Sequence, residues 1–187
     1  MGQAFNQDSI YFRVAPWPAL LTWVSLLATV LLCAVSYAAW LAIPPHEAVH
    51  VVGTIVASLP PMIIPIALLF VVRGYEFDDT ELRIERLFWH TVISLDGISQ
   101  VSSDPSLLKG SLRIFGNGGL FSFTGYYRNK RIGNYRAFIT DWKHSVVLML
   151  PGGVIAVSPE NPAQFIAELQ KNFAALQVAT HQMDHVR

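Results

Sequence analysis

Charge is what this 187-residue chain has little of: Lys, Arg, Asp and Glu make up 14% of it, split evenly into 13 basic and 13 acidic residues. A soluble domain ordinarily carries about 25%. The formal balance of zero excludes a generally basic nucleic-acid binder, and the scarcity of charge excludes a charge-rich disordered chain. Cysteine is nearly absent. The single Cys33 leaves nothing to form an intramolecular disulfide and no cysteine-based zinc cluster. What fills the space is apolar: 52% hydrophobic residues and a mean hydropathy of +0.40.

Two long runs hold most of that apolar excess. From Pro18 to Ile43 there are 26 residues without a charge, and from Val51 to Val72 another 22, closed by Arg73. A helix rising about 1.5 Å per residue needs roughly 20 such residues to cross a bilayer core. Only Pro44 to His50 lies between the runs, so the two spans are expected to be antiparallel neighbours, a transmembrane hairpin over 18–73. A cleaved leader is the weaker reading, because the first run is about twice the usual 7–15-residue apolar core. Arg13 precedes the spans and Arg73, Arg83 and Arg86 follow them, while the connection has no Lys or Arg. The positive-inside rule then puts both termini in the cytoplasm. Trp17, Trp23, Tyr37 and Trp40 flank the first span, where amphipathic rings favour the interface. Pro60, Pro61 and Pro65 sit inside the second. They predict a kink, tolerated if neighbours satisfy the freed carbonyls.

Beyond Arg73 the texture is short and alternating. Tyr75 and Phe77, then Leu82, Ile84 and Leu87, then 92–95, 98–101, 112–115, 120–127, 135–140, 146–150 and 154–157 form apolar runs broken by turn residues. Short strands at this spacing predict an antiparallel barrel or sandwich of about seven strands. The last element differs. Asn161 and Pro162 supply a cap and a first helical position, and Phe165, Ile166, Leu169, Phe173 and Leu176 recur at helical spacing. A helix closing the barrel follows, with a polar tail over 178–187.

The stretch Arg113-Ile114-Phe115-Gly116-Asn117-Gly118-Gly119, then Gly125-Tyr126-Tyr127, Gly133, Tyr135, Phe138 to Asp141, Val146-Val147 and Val157 to Pro162 with Phe165 resembles the bacterial pleckstrin-homology-like (PH-like) domain family. Tyr75, Phe77, Leu82, Ile84, Ile93, Leu95 and Ile98 are similar to its opening strands. The likeness covers about Gly74 to Leu176, within a domain bounded at 74–177. Two preceding spans match the membrane-anchored members, which implies the bacterial inner membrane, with 1–17 as a cytoplasmic segment. The resemblance implies a strongly bent seven-stranded barrel capped by a helix, no catalytic residues and no cofactor. It does not choose a ligand, since PH-type folds bind lipids, peptides and proteins.

Three constellations bear on chemistry. His46-Glu47-Ala48-Val49-His50 is a literal H-E-x-x-H, which on a helix places two zinc-ligating histidines on one face with a glutamate base. A small membrane zinc protease is therefore the rival reading. Against it, the motif lies in the hairpin connection, and His90, His144, His181 and His185 all fall on the opposite side of the membrane. Gly116 to Gly119 is a glycine-rich stretch, but β-like residues follow it, so a hairpin turn is expected rather than a phosphate cradle. The third is electrostatic: no acid occurs between Asp104 and Asp141, yet Lys109, Arg113, Arg128, Lys130, Arg131 and Arg136 do. Tethered beneath a leaflet, these six are the candidate contacts for anionic phospholipid headgroups or a partner. A membrane-protein partner or self-association is compatible with the spans. Nucleic acid is not expected. The reading that results is a membrane-anchored, non-catalytic binding or scaffolding module.

Overall fold

The computed structural model describes residues 9–44, 47–78, 80–173 and 176–179. Two helices, α1 (Ala19–Leu41) and α2 (Glu47–Leu69), are each long and apolar enough to cross a membrane. Most of their side chains are exposed, among them Leu20, Trp23, Leu27 and Val51. That surface is unlike the core helix of a soluble protein, which buries its apolar side chains. Helix α2 runs on through Pro60, Pro61 and Pro65. Pro61 has no N–H for the carbonyl of Ala57 four residues earlier. The Ser36 hydroxyl of α1 donates to that carbonyl instead, so the neighbouring helix satisfies what the proline frees.

The helices are inserted between two paired strands. Strand β1 (Ile10–Arg13) precedes α1 and pairs antiparallel with β2 (Gly74–Phe77), which follows α2. The hairpin thus leaves and re-enters the same sheet. That sheet continues through β3 (Glu81–Glu85) and β4 (His90–Ser94), in the order β1-β2-β3-β4. A segment expected to be only a cytoplasmic lead-in therefore supplies an edge strand. Phe12 points into the core while Ile10 and Tyr11 stay exposed.

The second sheet has seven strands: β5 (Gln100–Ser102), β6 (Leu112–Gly118), β7 (Phe123–Asn129), β8 (Gly133–Ile139), β9 (Val146–Leu150), β10 (Gly153–Val157) and β11 (Gln177–Ala179). Their order is β11-β5-β9-β10-β8-β7-β6. Two pairs, β10–β8 and β11–β5, are parallel, which corrects the all-antiparallel expectation. Strand β10 turns back from β9 and enters between β9 and β8. The start of the expected polar tail is likewise a strand, because Val178 continues the sheet beside Val101.

Helix α3 (Pro162–Asn172) opens as its sequence predicts, with the Asn161 side chain accepting from the Gln164 N–H at 3.1 Å. It buries Phe165, Ile166 and Leu169 among Phe12, Tyr75, Phe77, Leu82, Ile84, Val146 and Leu148, which joins both sheets and the helix in one core. The fully buried Tyr75 hydroxyl donates to the Phe138 carbonyl (2.7 Å) and accepts from the Ser158 N–H (2.9 Å). Ser158 in turn receives the Thr140 N–H, and the Thr140 hydroxyl donates to the Ala15 carbonyl just before α1. Burial pushes the Tyr75 phenol far above its ordinary pKa, so it serves here as a neutral linker. The other face of the large sheet carries a second cluster of Leu108, Tyr127, Tyr135, Ala137, Ile139, Val147 and Ala156.

Candidate functional site

Strands β6 and β7 form a hairpin bent hard enough to reach back along the helices. At its centre Gly116 faces Gly125, both at positive φ (+110° and +139°). A Cβ on Gly125 would lie 2.2 Å from the Phe115 carbonyl oxygen, and one on Gly116 would lie 2.3 Å from that of Thr124. Only glycine allows this approach. Next to it the register slips between Arg113 and Phe115, a bulge that increases local twist. The turn itself runs over 119–122 and overlaps the predicted Gly116–Gly119 only at Gly119. Asn117, still in β6, closes it by accepting the Leu120 N–H at 3.0 Å.

This turn is fastened to the first helix. Ser25, buried two turns into α1, accepts the Phe121 N–H at 2.9 Å and donates to the Gly119 carbonyl at 3.3 Å. Phe121 has φ +67°, a costly conformation for a side chain of this kind. Its ring lies 5.8 Å from Trp17. The bonds to Ser25 hold the strained residue in place.

Between this hairpin and α2 lies a cleft of about 560 Å³. One wall is Ile63, Ile66 and Ala67 of α2 with Phe70 just beyond its end, and the other includes Phe115, Tyr126 and Phe138 of the sheet and Leu120 of the turn. Three lining residues are arginines, Arg86, Arg113 and Arg136, and none is acidic. Arg86 is the unusual one. It is 9% exposed, and its guanidinium sits over Phe70 (5.4 Å), Trp89 (5.7 Å) and Phe138 (5.4 Å). Its Nε has no hydrogen-bond partner, and no ion pair to it occurs among the described residues. Burial, and then the nearby Arg136 charge, lower its pKa from the ordinary arginine value. Arg136 stacks over the same Phe138 ring at 5.1 Å and over Tyr126 at 5.8 Å. Two like charges therefore share one ring. Burying a charge without a counter-ion costs several kcal/mol, of which each cation–π contact recovers about 0.5–2.

Beside the cleft, the β3–β4 turn exposes Leu87, Phe88 and Trp89, with Phe88 77% exposed. Trp89 meets Phe70 edge-on at 5.4 Å, so this apolar tip stands at the end of α2. Across the cleft Leu112, Ile114 and Phe115 of β6 are also exposed, Phe115 by 74%.

Of the six basic candidates, only Arg113 and Arg136 line this cleft. Arg113 bonds the Gly116 carbonyl at 3.3 Å. Arg128, Lys130 and Arg131 gather at the β7–β8 turn, where Arg131 reaches the Ser106 carbonyl and hydroxyl. Lys109 is beside them, its carbonyl bound by the Asn129 amide at 2.9 Å. Arg86 was missed by the acid-free criterion because it follows Glu85 directly. The only available signal was an arginine followed by Leu87-Phe88-Trp89, a poor place for a solvated charge. In the H-E-x-x-H motif, His46 and the Glu47 side chain lie outside the described residues, and His50 is exposed. Among the described residues no three His, Cys, Asp or Glu side chains converge to hold a metal. Asp141 and His144 approach to 2.6 Å, but Asp141 also accepts the Lys143 N–H, and the pair closes a 3₁₀ turn at Trp142–His144.

Two apolar helices emerging from a pair of strands, a four-stranded sheet with a seven-stranded partner and a closing helix define a PH-like domain carrying a helical hairpin. The family model for the bacterial PH domain matches residues 73–173, more than half of the chain, and the chain belongs to that family. No curated protein and no solved structure matches it. PH-like domains are generally non-catalytic binding modules, and the apolar helices are consistent with membrane association.

Proposed function

We propose that this protein is a membrane-anchored, non-catalytic binding module whose PH-like domain rests on the anionic cytoplasmic leaflet of the bacterial inner membrane. The hairpin α1–α2 spans the bilayer, both termini are cytoplasmic, and the basic residues Lys109, Arg113, Arg128, Lys130, Arg131 and Arg136 meet lipid headgroups. The observation that carries this reading is the β3–β4 tip, where Leu87, Phe88 and Trp89 are exposed beside Phe70 at the end of α2. An apolar tip costs little only where it meets hydrocarbon or another apolar surface. Aromatic rings favour the interfacial zone. A domain covalently held at the leaflet has an effective concentration of about the millimolar range there. Basic residues worth about 1 kcal/mol each near the surface are then enough to orient it.

The test uses the full chain with Cys33→Ala and one new cysteine, at Phe88 or at the exposed Lys171 on α3, carrying an environment-sensitive dye in lipid nanodiscs. The Phe88 dye is expected to report an apolar setting, more so with anionic lipid, while the Lys171 dye reports water. Equal, water-like signals from both sites in anionic discs would refute docking on the leaflet.

A further inference from the structure

We propose that the cleft between α2 and the β6–β7–β8 face holds one anionic glycerophospholipid, its phosphate between Arg86 and Arg136 and its acyl chain along α2. The inference deepens the leaflet-docking reading and rests on it, since a domain lying on the leaflet meets lipid from the side.

The charges argue for an anion. Arg86 is 9% exposed, its guanidinium lies near three aromatic rings, and its buried Nε bonds nothing. Arg136 stands over the same Phe138 ring, and Arg113 lines the same space. Among the described residues no carboxylate lines the cleft to offset them. A phosphate is the matching counter-ion, because a guanidinium offers planar paired donors to its oxygens. Placed between Arg86 and Arg136, it converts their mutual repulsion into two attractions.

The walls argue for an amphiphile rather than free phosphate. Ile63, Ile66 and Phe70 form one side of the cleft, and Phe115 and Leu120 contribute to the other. Free phosphate gains nothing from these side chains. An acyl chain gains about 0.8 kcal/mol for each methylene buried. The volume of about 560 Å³ is in the range of sites for small molecules and admits one molecule. The helical wall consists of residues of the second apolar helix itself, so a lipid can enter sideways from the bilayer with its chain still in hydrocarbon.

The experiment is native mass spectrometry of the full chain released from nanodiscs of phosphatidylglycerol and phosphatidylcholine. One phosphatidylglycerol per chain is expected to be retained in preference to phosphatidylcholine. Arg86→Gln and Arg136→Gln should each lower that retention about tenfold or more, with circular dichroism confirming the fold. Arg136 is only partly buried, so its variant remains informative if Arg86→Gln does not fold. Retention without preference for the anionic lipid, or unchanged in folded Arg136→Gln, would overturn the site. So would thermal stabilisation by inorganic phosphate in detergent equal to that by phosphatidylglycerol, which would leave the apolar walls without a role. The Phe88 dye, read in the same discs, separates the two levels. An apolar dye signal without retained lipid refutes the cleft and leaves leaflet docking standing. A water-like signal with Arg136-dependent retention refutes docking and leaves the site.

Discussion

The two ends of the β7–β8 hairpin carry the same charge in opposite settings. Toward one end Arg136, paired with Tyr126 midway along the strands, lines an apolar cleft against α2 together with Arg86 and Arg113. At the other, Arg128, Lys130 and Arg131 surround an exposed turn. Arg136 stands opposite Tyr126, two residues or about 7 Å along β7 from Arg128. Exposed bases at the turn keep their hydration and are screened over about 8 Å at physiological salt. The Arg86 guanidinium packs among three aromatic rings, with its Nε buried and unpartnered. Counting basic residues along the chain treats these groups alike. Burial separates them, because the value of a charge to an incoming anion rises as water is withdrawn.

The largest contrast should come from the glycines that shape each end. Gly125 lets β7 pass within reach of the Phe115 carbonyl at φ +139°, whereas Gly133, at the other turn, has φ +74° and open space around its Cα. Gly125→Val combines strain with a backbone clash and is expected to cost about 3–5 kcal/mol. Gly133→Ala meets no atom and should cost about 1–2 kcal/mol. Thermal unfolding of both variants in the same detergent measures the gap. Equal losses would mean that the cleft end is no more constrained than the turn.

Much of this architecture is visible in the chain before any folding. The two charge-free runs, the alternation at Leu82 and Ile84, the continuous Val146–Leu150 and the Asn161-Pro162 start of α3 each follow a local rule of length, period or capping. The elements that escaped notice depend on distant partners. Four residues, Ile10–Arg13, form a strand only because β2 is brought beside them across the whole helical hairpin. The parallel entry of β10 beside β8 has no local signature, since β9 and β10 read as a simple hairpin at Pro151-Gly152-Gly153. The glycine stretch was legible as a bend, but its turn is displaced because Asn117 closes the chain at Leu120 rather than within the glycines. The candidate site was half legible. Arg113 and Arg136 belong to an acid-free stretch, whereas Arg86 is made unusual by rings from the end of the helical hairpin, β8 and the β3–β4 turn.

A smaller effect should follow at the turn end from Asn129, which is buried among the exposed bases. Its amide donates to the Lys109 carbonyl and the Ser111 hydroxyl, both at 2.9 Å, and its carbonyl oxygen accepts the Arg131 N–H at 2.8 Å. Asn129→Ala removes all three bonds and leaves the Lys109 carbonyl and the Arg131 N–H to find water. A loss of about 2 kcal/mol is expected, with faster amide exchange over 129–133. Retention of phosphatidylglycerol should not change. If it falls together with stability, the two ends are not independent.

The smallest effect expected is that of the turn bases themselves, and it defines the comparison most sharply. Arg128→Gln, Lys130→Gln and Arg131→Gln in one chain remove three exposed charges while leaving the hairpin backbone and the cleft untouched. Arg131 loses two long contacts to Ser106, of 3.4 and 3.3 Å, so stability should change by less than about 1 kcal/mol. The triple variant should retain phosphatidylglycerol as the parent does, because the ion sits with Arg86 and Arg136. What it should lose is salt sensitivity. In the parent, added salt is expected to shift the Phe88 dye toward water by screening these outlying charges from the leaflet. In the variant the dye should start slightly nearer water and respond less to salt. A triple variant that releases its lipid as readily as Arg136→Gln would erase the distinction between the two ends and make the whole basic stretch one binding surface.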